Sequence, residues 1–158
     1  MFGVSMITAA YKTNRIMIDE YFDSVSKLIC PSGIGLEVIC IVDGDKDLYE
    51  YIQLHAENME DNIRALFNDK NKGVSYSRNR AMKLAKFDYS LILDSDDIMT
   101  PDAIIAIVDF IKRNPDVDFA FGSAHTIDAD NNLTGIIYTR DSFREFIARS
   151  YSVDFIGN

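Results

Sequence analysis

"LILDSDDIMTP", residues 91–101, runs an apolar segment into Asp94, Asp96 and Asp97 and then into a helix start at Thr100, Pro101 and Asp102. Thr100 can cap, Pro101 suits the first helical position and Asp102 faces the positive end of the helix dipole. The order is strand, carboxylate turn, helix. Three carboxylates this close repel one another unless a cation, a donor or water relieves them. The turn therefore holds a place for something positive.

The same alternation extends to either side. "GVSMIT" (3–8) reads as a strand, followed by a helix from about Arg15 to Cys30 with Ile18, Tyr21, Phe22, Val25, Leu28 and Ile29 on one face. "LEVICIV" (36–42) is apolar enough for a strand buried on both faces. A short helix carries Leu48, Tyr51, Ile52 and His55 on one stripe, and His55 there is read as a core or boundary residue. "IRALFN" (63–68) is a third strand, residues 74–86 a helix, and "YSLILD" (89–94) a fourth strand. The helix after Pro101 buries Ile104, Ile107, Val108 and Ile111. "VDFAFGSAHTID" (117–128) and "NLTGIIYT" (132–139) are expected as two further strands paired through a turn at "DADNN". Ser142 and Glu145 form a capping box for a last helix. Strands alternating with helices predict an α/β fold, mostly parallel, with helices on both faces of the sheet.

At 158 residues the chain is long enough for one domain with a core of its own. No linker-like segment divides it, so a single domain over 1–158 is expected. Net charge of −9 argues against a phosphate-tracking nucleic-acid surface, which needs a basic face. No apolar run approaches a bilayer span and the amino terminus carries no signal-peptide pattern, so no integral membrane segment and a cytoplasmic location are expected. Cys30 and Cys40 fit no metal spacing and are read as structural.

Ligands of open α/β sheets bind outside the carboxyl ends of the strands, where strand order reverses. The polar residues fall at those ends: "TAAYKT", "DGDKD", "NDKNKG" and "DSDD" follow the first four strands in turn. "DGDKD" is not a calcium loop, because Leu48 and Leu54 stand where that loop needs Gly and Glu.

"VSMITAAYKT", "EVICIVDGDKD", "NKGVSYSRNRAMKLAKFDYSLILDSDD" and "VDFAFGSAHTID", in this order and spacing, resemble the nucleotide-sugar-binding half of inverting GT-A glycosyltransferases of the family-two type. The resemblance covers about residues 3–130, leaving 131–158 as a short remainder of an acceptor part. It implies a Rossmann-like GT-A fold and a transferase that moves a sugar from a nucleotide sugar, with a UDP-sugar favoured, to a saccharide or lipid-linked acceptor hydroxyl. Mn²⁺ or Mg²⁺ is the implied cofactor, because one or two carboxylates plus phosphate oxygens are the usual way to bind it. Asp96 matches the family's DxD metal ligand and is the leading catalytic candidate, and Gly73 joins the donor-binding candidates. Asp94 matches the first carboxylate, which contacts ribose or the metal, and Ser95 joins the donor-binding set. Asp43 matches the acid that contacts the base, although Val42 replaces the family's other acid. Tyr11 is the candidate for packing on the nucleobase, with Thr8 and Ala10 supplying close backbone. Arg78 after Gly73 can reach a phosphate or the base, while Lys72 and Asn79 are weaker candidates.

His125 is a candidate for the metal or the acceptor. The family's general base has no matching motif here; Asp128, Asp130 and Asp154 are the available acids, and a partner in a homo-oligomer is another source. Three readings stay open: a minimal enzyme, which the complete set of strands and caps favours, a fragment of a longer one, or a nucleotide-sugar-binding module without transfer. A DxD phosphohydrolase is the distant alternative; Ile98 stands where it needs Thr or Val, and the acids follow the fourth strand, not the first.

Overall fold

The structure is a computed structural model that describes residues 2–59, 62–120, 122–130 and 132–136. These fall into two units, Met1–Arg113 and Asn114–Asn158. The first contains β1 (Gly3–Ala10), α1 (Arg15–Ser26), β2 (Gly35–Asp43), α2 (Lys46–Glu57), β3 (Ile63–Asn68), α3 (Val74–Leu84), β4 (Tyr89–Ile92) and α4 (Ala103–Arg113). Its sheet is wholly parallel, in the order β3-β2-β1-β4.

That order explains the placement of the helices. β1, β2 and β3 step one way across the sheet, so crossovers of one hand put α1 and α2 on the same face, whereas the return from β3 to β4 puts α3 on the other. The side chains follow the period-two alternation of a strand. Met6, Ala10, Val38, Cys40 and Val42 pack on Ile18, Tyr21, Phe22 and Val25 of α1 and on Leu48 and Ile52 of α2. Val4 on the same face meets Ile104 and Val108 of α4. Ile7, Ile39 and Ile41 on the opposite face pack on Ala81 of α3. The parallel sheet with helices on both faces is therefore present as expected, and burial of both faces is why "VICIV" reads as a continuous apolar run.

Several boundaries move for local reasons. α1 stops at Ser26 and not near Cys30, and Ile29, expected on its buried face, is exposed. Lys27 N–H bonds to Ser24 and Val25 carbonyls, closing the helix there. α4 begins at Ala103, two residues later than Pro101, after a turn in which Ala103 N–H donates to Thr100 O at 3.0 Å. Asp45 caps α2, its carboxylate accepting from Leu48 N–H at 3.1 Å. His55 does sit at a boundary, stacked on Phe22 with ring centroids 4.9 Å apart and with Nε2 2.9 Å from Asp19. Cys40 is buried, which pushes its thiol up to about 12, whereas Cys30 is exposed with Sγ 3.4 Å from Ile34 O.

One charge in the apolar run of β2 is compensated. Glu37 is buried at the amino-terminal end of the sheet, where Ser5 Oγ donates at 2.7 Å and Arg64 Nη2 at 2.9 Å, and Lys86 N–H also donates to it. Burial alone would raise its carboxyl, but these donors hold it below the usual glutamate range.

The second unit contains β5 (His125–Ile127) and β6 (Leu133–Ile136), an antiparallel pair. β5 and β6 pair on either side of "DADNN" as expected, and of the long strand expected over 117–128 the regular part among the described residues is His125–Ile127. The last helix, expected after Ser142, lies outside the described residues. Among the described residues no helix is long and apolar enough to cross a membrane.

Candidate donor-binding site

The strand order reverses between β1 and β4, and there the ladder opens. β1 pairs with β2 as far as Ala10↔Val42, but with β4 only as far as Ile7↔Ile92. Beyond that point hydroxyls take over from the backbone: Thr8 Oγ1 donates to Leu93 O at 2.9 Å, and Thr13 Oγ1 lies 2.7 Å from Ser95 Oγ. The result is a crevice at the carboxyl ends of the strands, with the loop after β1 tied to the carboxylate turn after β4. Thr8 is almost fully buried and also meets Tyr21 OH at 2.7 Å, so it braces the crevice from beneath. Ser95 is likewise buried and acts in the same brace.

A pocket of about 240 Å³ opens beside this crevice, lined by Ala9, Ala10, Tyr11, Asp43, Asn71, Gly73 and Val74. Of the residues expected from sequence it gathers Ala10, Tyr11, Asp43 and Gly73. Ala9, Asn71 and Val74 were missed; Asn71 had a signal in "NKG", standing two residues ahead of the glycine. Tyr11 is 44% exposed, enough to offer a ring face to a ligand. Hydrogen bonding from Asn71, then from Lys12, lowers its phenol pKa.

Asp43 forms the pocket's inner wall and is only 2% exposed. Asn68 Nδ2 donates to its Oδ1 at 2.7 Å, Lys72 N–H reaches both oxygens at 3.0 Å, and Gly73 N–H reaches Oδ2 at 2.8 Å. Burial raises the carboxyl, yet the donors outweigh it, so Asp43 is held below the usual aspartate range and is ionised at neutral pH. Two glycines make this geometry possible. Gly44 has φ +78 and its missing Cβ would stand 2.3 Å from Asn71 N; Gly73 has φ +89 and begins α3. The contribution of Lys72 to the site is its backbone amide, since its Nζ lies over the Tyr76 ring, 4.7 Å from the centroid.

α3 crosses the sheet between the β3 and β4 exits and is anchored to both. Arg78 pairs with Asp94 just past the end of β4, and its Nε is buried with no hydrogen-bond partner among the described residues. Two residues on, Arg80 Nη1 donates to Phe67 O and Asn68 Oδ1, both at 2.6 Å. Asn79 is exposed.

Asp94, Asp96 and Asp97 do share one turn, closed by Asp97 N–H to Asp94 O at 3.1 Å. Asp97 has its carboxyl pushed up by partial burial and by the charges of Asp96 and Asp94. This is the excess negative field that the sequence suggested. No group of three or more His, Cys, Asp or Glu side chains among the described residues forms a complete metal cage. A turn offering exposed Asp96 and half-exposed Asp94 suits a hard divalent cation whose remaining ligands are phosphate oxygens and water.

The other candidates belong to the second unit. His125 is an exposed residue of β5. Asp128 Oδ1 accepts from Asp130 N–H at 3.0 Å and Asn132 N–H at 2.9 Å, so it closes the β5–β6 turn, and those bonds lower its carboxyl pKa. Asp154 lies outside the described residues.

A parallel α/β sheet with a pocket beside its switch point and an acidic turn after the neighbouring strand fits the GT-A class of folds. The family model for glycosyl transferase family 2 matches residues 5–154, and the chain belongs to that family. It is 28% identical over 113 residues to glucosyl-dolichyl phosphate glucuronosyltransferase of Haloferax volcanii, covering 72% of this chain and 35% of that protein. It is 26% identical over 165 residues to chondroitin synthase of Escherichia coli, covering 95% of this chain and 23% of that one. The structure of S. aureus TarS 1–349 in complex with UDP-GlcNAc matches with TM-score 0.61 at 24% identity, over 72% of this chain and 32% of that one. A mannosyltransferase, PcManGT from Pyrobaculum calidifontis, in complex with GDP-Man and Mn²⁺, matches with TM-score 0.62 at 20% identity, over 68% and 32% of the two chains. These structural matches establish the fold. The chain spans about a third or less of the length of these proteins.

Proposed function

We propose that this chain binds a nucleotide sugar, a UDP-sugar by preference, and takes part in metal-assisted transfer of the sugar to an acceptor hydroxyl with inversion. The carrying observation is the adjacency, at one sheet edge, of the Tyr11–Asp43–Gly73 pocket and the Arg78–Asp94–Asp96 cluster. Tyr11 offers a face for a nucleobase. Asp43 lines the same pocket as an ionised carboxylate, held in place by donors from Asn68, Lys72 and Gly73.

Arg78 supplies charge to a phosphate, and its exchange between Asp94 and the ligand lets the site stay neutralised before and after the donor enters. Asp96, with Asp94, would hold Mn²⁺ or Mg²⁺, which when bound neutralises the departing diphosphate. Support comes from the proteins of like fold solved with UDP-GlcNAc and with GDP-Man and Mn²⁺. For the general base, Asp128 is a poor fit, because its carboxylate closes a turn and is held acidic. Asp130, Asp154 or a residue from another copy are the remaining sources. That observation favours a second reading, a donor-binding module to which transfer is completed by groups outside these residues.

Calorimetry with UDP, GDP and dTDP, each with and without Mn²⁺, tests the proposal. The expected order is UDP with Mn²⁺ tightest, with affinity falling at least tenfold when the metal is withheld. Equal binding of all three nucleotides regardless of metal would overturn it. Release of nucleoside diphosphate from a UDP-sugar, measured with and without saccharide or lipid acceptors, separates the enzyme from the module.

A further inference from the structure

The hydrogen bonds behind Asp43 form a chain whose polarity is fixed at every link. A guanidinium only donates, so the two 2.6 Å bonds from Arg80 Nη1 oblige Asn68 to present its Oδ1 to Arg80. The amide of Asn68 then faces the other way, with Nδ2 2.7 Å from Asp43 Oδ1 and 2.9 Å from Ser77 Oγ. Asp43 only accepts, and its remaining capacity is taken up by the Lys72 and Gly73 amides. Asn68, Ser77 and Asp43 are all at most 3% exposed, so none can exchange these partners for water. Gly73 and Asp43 both line the pocket. An alternative amide orientation at Asn68 would set its oxygen against the Asp43 carboxylate and release the loop.

We propose that Arg80 and Asn68 are positioning residues that, acting through Asp43, hold the Lys72–Gly73 backbone at the pocket wall and thereby set nucleotide affinity. This rests on the donor-binding reading given above. Neither residue touches the pocket, and each acts on it through its neighbour. Arg80 is half-exposed and is not among the buried side chains of the core, so its replacement should remove no core side chain.

The test is calorimetry of the 158-residue chain with UDP and Mn²⁺, with amide hydrogen exchange followed at Lys72 and Gly73. Asn68→Ala and Arg80→Met should each weaken UDP binding by about tenfold, the cost of losing a buried, charge-assisted bond. Arg80→Lys, whose ammonium keeps several donors and no acceptor, should lose clearly less affinity than Arg80→Met. Exchange at Lys72 and Gly73 should quicken in the two weakened variants while amides of β1 and β2 keep their protection. If Asn68→Ala does not fold, the Arg80 pair decides alone. Wild-type affinity in a folded Arg80→Met, or equal losses in Arg80→Met and Arg80→Lys, overturns the relay. A wild type that binds no nucleoside diphosphate overturns the donor reading itself and removes the relay's ligand with it.

Discussion

Asp94, Asp96, Asp97 and Asp102 lie within nine residues of one another, yet their surroundings give them different work. Asp94 is paired with Arg78, Asp97 is pushed towards its neutral form by its neighbours, and Asp96 is exposed at the turn. Asp102 belongs to the start of α4, where its carbonyl accepts from Ala106 N–H at 3.1 Å. The expectation is therefore that Asp96→Asn abolishes most of the metal-dependent gain in UDP affinity, while Asp102→Asn changes it by less than about twofold. Paired titrations with Mn²⁺ check this, and matching losses would show that any acid in the segment serves. The four carboxylates were legible in the sequence because their spacing is local. Which of them carries an ion pair was not, because Arg78 reaches Asp94 across sixteen residues of chain.

At the scale of elements, the site is built from strand exits, and its precision rests on the loops that leave them. The turn after β2 is close-packed: Gly44 N–H donates to Asn68 O at 3.0 Å, and a Cβ on Gly44 would stand 2.3 Å from Asn71 N. Gly44→Ala would place a Cβ 2.3 Å from that backbone nitrogen at φ +78, so the β3–α3 loop must move. The expected cost is about 1–3 kcal/mol in urea denaturation, accompanied by weaker UDP binding because Asn71 lines the pocket. Periodicity found each strand and helix of the first unit, most clearly where an apolar face is buried, as in β1, β2, α1 and α4. It overextended α1, because Leu28 and Ile29 continue the apolar period after the backbone has already turned. In the second unit, the pairing among the described residues is His125–Ile127 with Leu133–Ile136.

Across the whole molecule, two buried carboxylates at opposite ends of the sheet link stability to pH. Glu37 at the amino-terminal end and Asp43 at the carboxyl-terminal end are both buried, which raises their carboxyls, and both are brought below their usual values by the donors around them. A carboxylate with a depressed folded-state pKa stabilises the fold above its unfolded value and loses that contribution as pH falls through the folded one. Stability should thus be level from about pH 7 to pH 5 and decline below roughly pH 4, where the unfolded chain takes up protons first. Glu37→Gln, which cannot titrate, should flatten that decline, as urea midpoints at pH 7, 5 and 3 would register; an unchanged slope would assign acid sensitivity to other groups. The sequence by itself determined the α/β alternation, the four polar strand exits and the carboxylate turn, because these depend on short-range period and spacing. Only the tertiary structure decided the order β3-β2-β1-β4, the opening between β1 and β4, and the enclosure of Asp43 by Asn68, Lys72 and Gly73. Those depend on hydrogen bonds between groups twenty-five or more residues apart, whose partners are chosen by packing and not by local pattern.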